Sequence, residues 1–249
     1  NVSIRTETTL QGMTLISQAS VELEHGIAVC KLRLRAKSDR EGHLILSLRP
    51  QNPEGVSFIH SVKLNQQRTG WQVDDNKLVQ FNRPAQRHHV SCYRQGDVYI
   101  HLKDAQEQTE GVCGVGMVTA AALFVLPAAQ WQELEVAVPL TAEHNAQLQA
   151  DAWSQEQQKT CKLICPDKHY QFLYDAAVTS LILHSPEDVY PGPYTYKRFW
   201  FRDAAFIIHA LLCAGLTERA ARAINQFPPR QTLLGYFRSQ EGEWDANGE

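Results

Sequence analysis

The sequence predicts an antiparallel β-sandwich followed by an all-α segment, and two changes of rhythm along its 249 residues carry that prediction. Up to about residue 140 apolar residues alternate with polar ones in short runs, separated by turn clusters, as in a sandwich of many short strands. Beyond about residue 165 the apolar period becomes that of helices, and Gly, Thr and Pro stand where helices stop and start. At this length one large domain or two ordinary ones can bury a proper core.

Taken in order, Cys30–Ala36 alternates apolar and basic residues, and His43–Arg49 does much the same before the turn signal Pro50–Gly55. Further strands are expected at Val56–Lys63, Leu78–Phe81, His89–Tyr93, Val98–Leu102, Gly116–Phe124 and Glu133–Val138, with Arg94–Asp97 as one of the intervening turns. This half offers little chemistry. His88 and His89 are neighbours in a strand, so they point to opposite faces and cannot jointly hold one metal; surface and half-buried positions suit them. Gly111, Gly114 and Gly116 are followed by no helix and form no phosphate loop.

The composition changes after Pro139 and Leu140. Thr141 to about Thr160 is rich in Ala, Gln and Glu, with Trp153 as its large apolar anchor, and reads as a linker helix. Lys168–Leu183 sets Leu173, Ala176, Ala177, Ser180 and Leu181 along one helical stripe. A loop rich in Pro and Tyr runs from Glu187 to Tyr196. The next helix, from about Asp203 to Cys213, stops at Gly215, and Thr217 is placed to cap a third over Glu218–Phe227, which Pro228 and Pro229 end. The last two form an αα-hairpin. The expected division is therefore a sandwich over 1–140, a linker over 141–164 and a helical domain over 165–249. Many aromatics of the helical part stand in loops, which points to binding rather than core.

A formal net charge of −3 gives no reason to expect a nucleic-acid or acidic-membrane partner. The longest apolar run, Val118–Leu126, is strand-sized and too short to span a bilayer. The opening Asn1-Val2-Ser3 carries neither Met nor signal peptide, as in a processed or trimmed piece. Six scattered cysteines are too sparse for a disulfide scaffold. Cys161 and Cys165 are spaced for one helical face, but no second pair with zinc spacing accompanies them; neither metal nor organic cofactor is expected, and reduced thiols suit the cytoplasm.

Chemistry concentrates at two places. Tyr196-Lys-Arg-Phe-Trp-Phe-Arg-Asp203 sets Arg202 and Asp203 directly behind an aromatic run, and Ser239–Glu249 holds Glu241, Glu243, Asp245, Glu249 and Trp244. Indole faces stack on the C–H faces of a pyranose, and charged groups take bidentate hydrogen bonds from vicinal hydroxyls, so the combination suits a sugar site. The plainer alternatives are that Asp203 caps its helix, that Arg202 pairs with a core carboxylate, and that the acidic run is a solvated loop.

The segment Phe199-Trp-Phe-Arg-Asp-Ala-Ala-Phe206, the apolar helix ending in Ala214-Gly-Leu-Thr217 and the later Gly235–Glu249 stretch resemble the glucoamylase-like glycosidases. These include glycoside hydrolase family 15 and the amylo-1,6-glucosidase part of glycogen debranching enzymes. The resemblance covers about residues 165–249, and the sandwich only as architecture. It implies the first helices of an (α/α)6 toroid and an inverting hydrolase of α-linked glucosides. Arg202 and Asp203 would hold hydroxyls of the terminal glucosyl unit, with Trp200 and Tyr196 as platforms. Asp245 matches the catalytic acid best, kept protonated by apolar walls such as Trp244. Glu243 and then Glu241 follow it in order, since in an extended loop all three share a side. No residue matches the partner base, and the chain has far fewer helices than a toroid needs. At most half an active site is expected, the remainder coming from a longer chain or a second one. A sugar phosphorylase on the same kind of toroid, or a non-catalytic carbohydrate-binding module, are the rival expectations.

Overall fold

The computed structural model describes residues 3–140, 152–240 and 247–248. The chain falls into two compact units, Asn1–Ala150 and Asp151–Glu249.

The first unit is built of antiparallel strands. They are β1 (Ser3–Leu10), β2 (Met13–Glu24), β3 (Ile27–Ser38), β4 (Gly42–Leu48), the short pair β5 (Gln51–Asn52) and β6 (Gly55–Val56), and β7 (Ser61–Leu64). Then follow β8 (Gly70–Val73), β9 (Lys77–Phe81), β10 (Arg87–Ser91), β11 (Glu110–Val112), β12 (Thr119–Leu126) and β13 (Gln132–Pro139). An eight-stranded sheet runs β1-β2-β3-β13-β9-β8-β7-β11, and a three-stranded sheet runs β10-β12-β4. The core lies where the two contribute Leu34, Trp71, Phe81 and Leu134 from one side and Leu44, Val90, Ala120 and Phe124 from the other. Edge-on ring contacts link Trp71 to Phe81 at 4.8 Å and Phe81 to Phe124 at 5.7 Å. This is the expected sandwich.

The long strands β1 and β2 precede the first strand singled out in the sequence. Their hairpins turn on Gln11-Gly12 and His25-Gly26, all four at positive φ, as two-residue hairpin turns demand.

Val98–Leu102 is not a strand. Val98–His101 is a turn of 3₁₀ helix, because the Asp97 carboxylate accepts from Tyr99 N while Arg49 grips it with two bonds of 2.9 Å. Only Val98 and Leu102 of that segment pack inward, on the outer face of β12 against Ala121 and Leu123. β12 is thereby covered on both faces, which explains its unbroken apolar sequence.

The histidine pair is also more deeply placed than expected. The side chains do part to opposite faces, but both residues are buried. His88 takes the Trp71 indole N–H on Nε2 and donates from Nδ1 to the Gln108 carbonyl. Those two bonds fix a neutral imidazole inside the core.

The second unit holds α1 (Ala152–Gln158), α2 (Lys168–Leu183), α3 (Phe201–Cys213) and α4 (Thr217–Ile224). Of the expected linker, residues 141–151 lie outside the described residues, and Trp153 of α1 packs on the helical core. α2 is capped by Asp167, whose carboxylate accepts from His169 N and Tyr170 N. It buries Val178 and Ile182, with Tyr174 and Leu181 beside them, while Leu173 is left exposed. Of the expected stripe, Leu181 packs on the core and Ala176 is half-buried, whereas Leu173, Ala177 and Ser180 are exposed, since a helix apolar on several sides leaves periodicity without a unique face. Cys161 and Cys165 lie in a non-helical stretch, not on a helix face.

α3 and α4 form the expected αα-hairpin. Gly215 turns at φ +81°, and a Cβ there would meet the Cys161 sulfur at 2.9 Å. Thr217 is the first residue of α4 rather than its cap; Leu216 takes the capping position without a side-chain bond. Arg219 of α4 ties this hairpin to the others. It meets Glu156 of α1 at 2.6 Å and donates to the Ile182 carbonyl at 3.1 Å and to the Ser185 carbonyl at the end of α2. Arg219→Ala removes all of these ties at once, although Lys159 still reaches Glu156 and Arg222 still reaches the Ser185 carbonyl, and is expected to cost about 2 kcal/mol in urea unfolding of the helical unit. An unchanged midpoint would show the ties to be dispensable.

Candidate sugar-binding site

The site is set where α3 begins. Trp200 is extended (φ −115°, ψ 117°) and opens the helix without a side-chain cap. Its backbone forms an antiparallel bridge with Gln240, and Phe201 N donates to the Ser239 carbonyl at 3.0 Å. The entry to the helix is therefore fastened to the residues that lead into the acidic run.

What fixes this geometry is an aromatic core. Phe201 lies 5.1 Å from Phe199, 5.2 Å from Phe227 and 4.9 Å from Phe237, ring to ring. The Arg230 guanidinium stacks on Phe199 at 4.4 Å and pairs with Asp188 at 2.9 Å. These aromatics serve the core, against the expectation that loop aromatics bind ligand; Phe199 stands outside any helix and is 1% exposed. Closely spaced aromatics bury one another as readily as they bury a sugar face.

Arg202 and Asp203 follow in the first turn of α3. The Arg202 side chain is 81% exposed and Asp203 33%, and their closest approach is a long 3.9 Å. Among the described residues Asp203 caps nothing and Arg202 has no core carboxylate. A cation and an anion on one exposed helical turn present both kinds of hydrogen-bonding edge to a diol. The first-turn position also favours the Asp203 charge. Tyr196 is half exposed, and its ring lies 5.7 Å from that of Trp200, inclined by 51°.

Glu241, Glu243, Trp244 and Asp245 lie outside the described residues. Their flanks do not. β14 (Phe237–Arg238) pairs antiparallel with β15 (Asn247–Gly248), Phe237 opposite Gly248 and Arg238 opposite Asn247. The two ends of the acidic segment are thus held together, and Ser239 and Gln240 are joined to the start of α3.

Gln240 escaped the sequence reasoning. It is 2% exposed, and its Oε1 has no partner among the described residues; nor has the buried Trp200 Nε1 across the bridge. Two buried polar atoms left unpaired on one bridge are costly. The only signal in the sequence was position, a glutamine directly before the acids.

No family model and no curated protein matches the sequence. Solved structures do. A bacterial glucoamylase complexed with acarbose aligns over 96% of this chain with a TM-score of 0.59 at 8% identity. A protein described as a kojibiose phosphorylase from the human microbiome aligns over 84% of this chain and 32% of its own at 10% identity, with a TM-score of 0.45. This chain spans 43% of the length of that glucoamylase, and the likeness is one of fold: a β-sandwich followed by helices, as in a glucoamylase.

Proposed function

We propose that the chain forms part of a glucoamylase-type enzyme that hydrolyses α-linked glucosides with inversion. The observation that carries the proposal is the exposed Arg202/Asp203 turn, fastened through Trp200 and Phe201 to Ser239 and Gln240, which in the sequence directly precede Glu241, Glu243 and Asp245. Arg202 and Asp203 grip the hydroxyls of the terminal glucosyl unit, and Trp200 and Tyr196 offer it apolar faces. Asp245, with Trp244 as its apolar wall, protonates the glycosidic oxygen, with Glu243 next in order. The second carboxylate, which activates water, comes from outside these residues, so this chain alone carries half the machinery.

Large apolar side chains left open on the helical unit support a further set of helices as its partner: Phe172 is 65% exposed, Phe206 72% and Leu234 84%. Among the described residues no helix is long and apolar enough to cross a membrane. The six cysteines, free in the structure, fit a reducing compartment such as the cytoplasm.

Arg202→Ala tests the sugar grip. Losing a charged hydrogen-bond donor should weaken maltotriose binding by about 10-fold or more in a fluorescence titration. Unchanged affinity would return Arg202 to a surface role.

A further inference from the structure

The β unit holds a cleft of about 420 Å³ lined by His89, Gln95, His101, Asp104, Gln106 and Gln108. It uses none of the residues in the proposed catalytic site. Of these residues, His89 is 1% exposed. Arg87 Nη2 approaches His89 Nε2 at 3.4 Å and also donates to the Asp104 carbonyl. A guanidinium can only donate, so Nε2 accepts and the proton of the neutral ring sits on Nδ1. Burial, and then the neighbouring Arg87 charge, keep that ring neutral by pushing its pKa down. Nδ1 has no protein partner among the described residues, although the ring lines the cleft. An N–H donor at the cleft surface is therefore available to whatever enters.

Another part of the lining is fixed in advance. His101 is held on both nitrogens, by the Asp104 carboxylate at 2.8 Å and the Gln95 carbonyl at 3.0 Å. Among the described residues the Gln106 and Gln108 side chains make no hydrogen bond, and both line the cleft, where their amides can turn donor and acceptor edges to a ligand.

This lining selects by chemistry. Among the described residues no three His, Cys, Asp or Glu side chains converge to hold a metal ion. The Asp104 carboxylate disfavours an anion, and the nearby Arg87 is already occupied. No Phe, Tyr or Trp ring lines the cleft for a flat base to stack on. What remains is a compact, neutral ligand with many adjacent donors and acceptors, and paired amide edges match vicinal hydroxyls in a bidentate manner. We propose that the cleft is a non-catalytic saccharide site, taking a neutral sugar through its vicinal hydroxyls.

The test uses the 249-residue chain and follows its imidazole resonances by NMR during titration with maltotriose, cellobiose and mannobiose in turn, and with inorganic phosphate. At least one saccharide is expected to shift the His89 signals saturably, and phosphate is not. The double variant Gln106→Ala/Gln108→Ala, at exposed positions with no bond to lose, should weaken that response by 10-fold or more. Arg202→Ala should leave it unchanged, which separates this site from the proposed catalytic one. Silence at His89 with all three sugars, a response to phosphate alone, or full affinity in the double variant would overturn the proposal.

Discussion

Asp245→Asn, introduced into the complete enzyme, is expected to lower kcat by about 10³-fold while leaving sugar affinity nearly intact. A glycosidic oxygen leaves poorly until protonated, and an amide cannot supply the proton. General-acid assistance is worth roughly 10²–10⁴-fold, and nothing else about the side chain's size or polarity changes greatly. Glu243→Gln should fall well short of that loss. Single-turnover kinetics on both variants, with binding measured separately, divides chemistry from affinity. Full activity in Asp245→Asn would remove it as the acid, and a larger loss in Glu243→Gln would reverse the order of the two.

The second large effect concerns stability. His88 is buried between the Trp71 indole and the Gln108 carbonyl, and burial depresses its pKa from 6.5 to about 4, outweighing the opposing pull of the Gln108 bond. In the unfolded chain the ring protonates near its ordinary value, whereas in the folded chain it stays neutral until about 4. Between those values the unfolded state binds more protons, so the stability this group confers is present in full above 6.5 and is lost as pH falls towards 4. The gap corresponds to about 3 kcal/mol. His88→Gln keeps an acceptor for Trp71 but cannot titrate, and should flatten that part of the stability profile measured by urea unfolding. His88→Ala should cost about 3 kcal/mol at neutral pH, because the buried indole N–H then has no acceptor. A parallel profile in His88→Gln would assign the slope elsewhere; His101, held by Asp104, shifts in the opposite direction.

The sandwich was legible because much of β3, β4 and β13 alternates, and alternation records one buried face. Val98–Leu102 misled because Val98, Ile100 and Leu102 are spaced as on a strand face, whereas Asp97 organises a 3₁₀ turn in which only Val98 and Leu102 pack inward and Ile100 stays exposed. α3 was legible from its apolar run and Gly215, yet the inward face of α2 was not, because apolar residues stand on more than one side of it. At the candidate site the chemistry-bearing types Arg202, Asp203 and Trp200 stood out by composition. Their fastening to Ser239 and Gln240 did not, since backbone pairing across nearly forty residues leaves no local pattern. His89 was passed over for a related reason: its significance lies in what the Gln95–Gln108 loop brings to it, and a strand pattern records only that it faces away from His88.

The most direct test of the central claim is the anomeric proton spectrum during the first turnovers of the complete enzyme on maltotriose, with and without inorganic phosphate. The account predicts β-glucose as the first product, released at the same rate in either buffer, because water attacks opposite the bond that the acid protonates. Glucose 1-phosphate formed only when phosphate is present would make the enzyme a phosphorylase, and α-glucose as the first product would contradict the inverting mechanism.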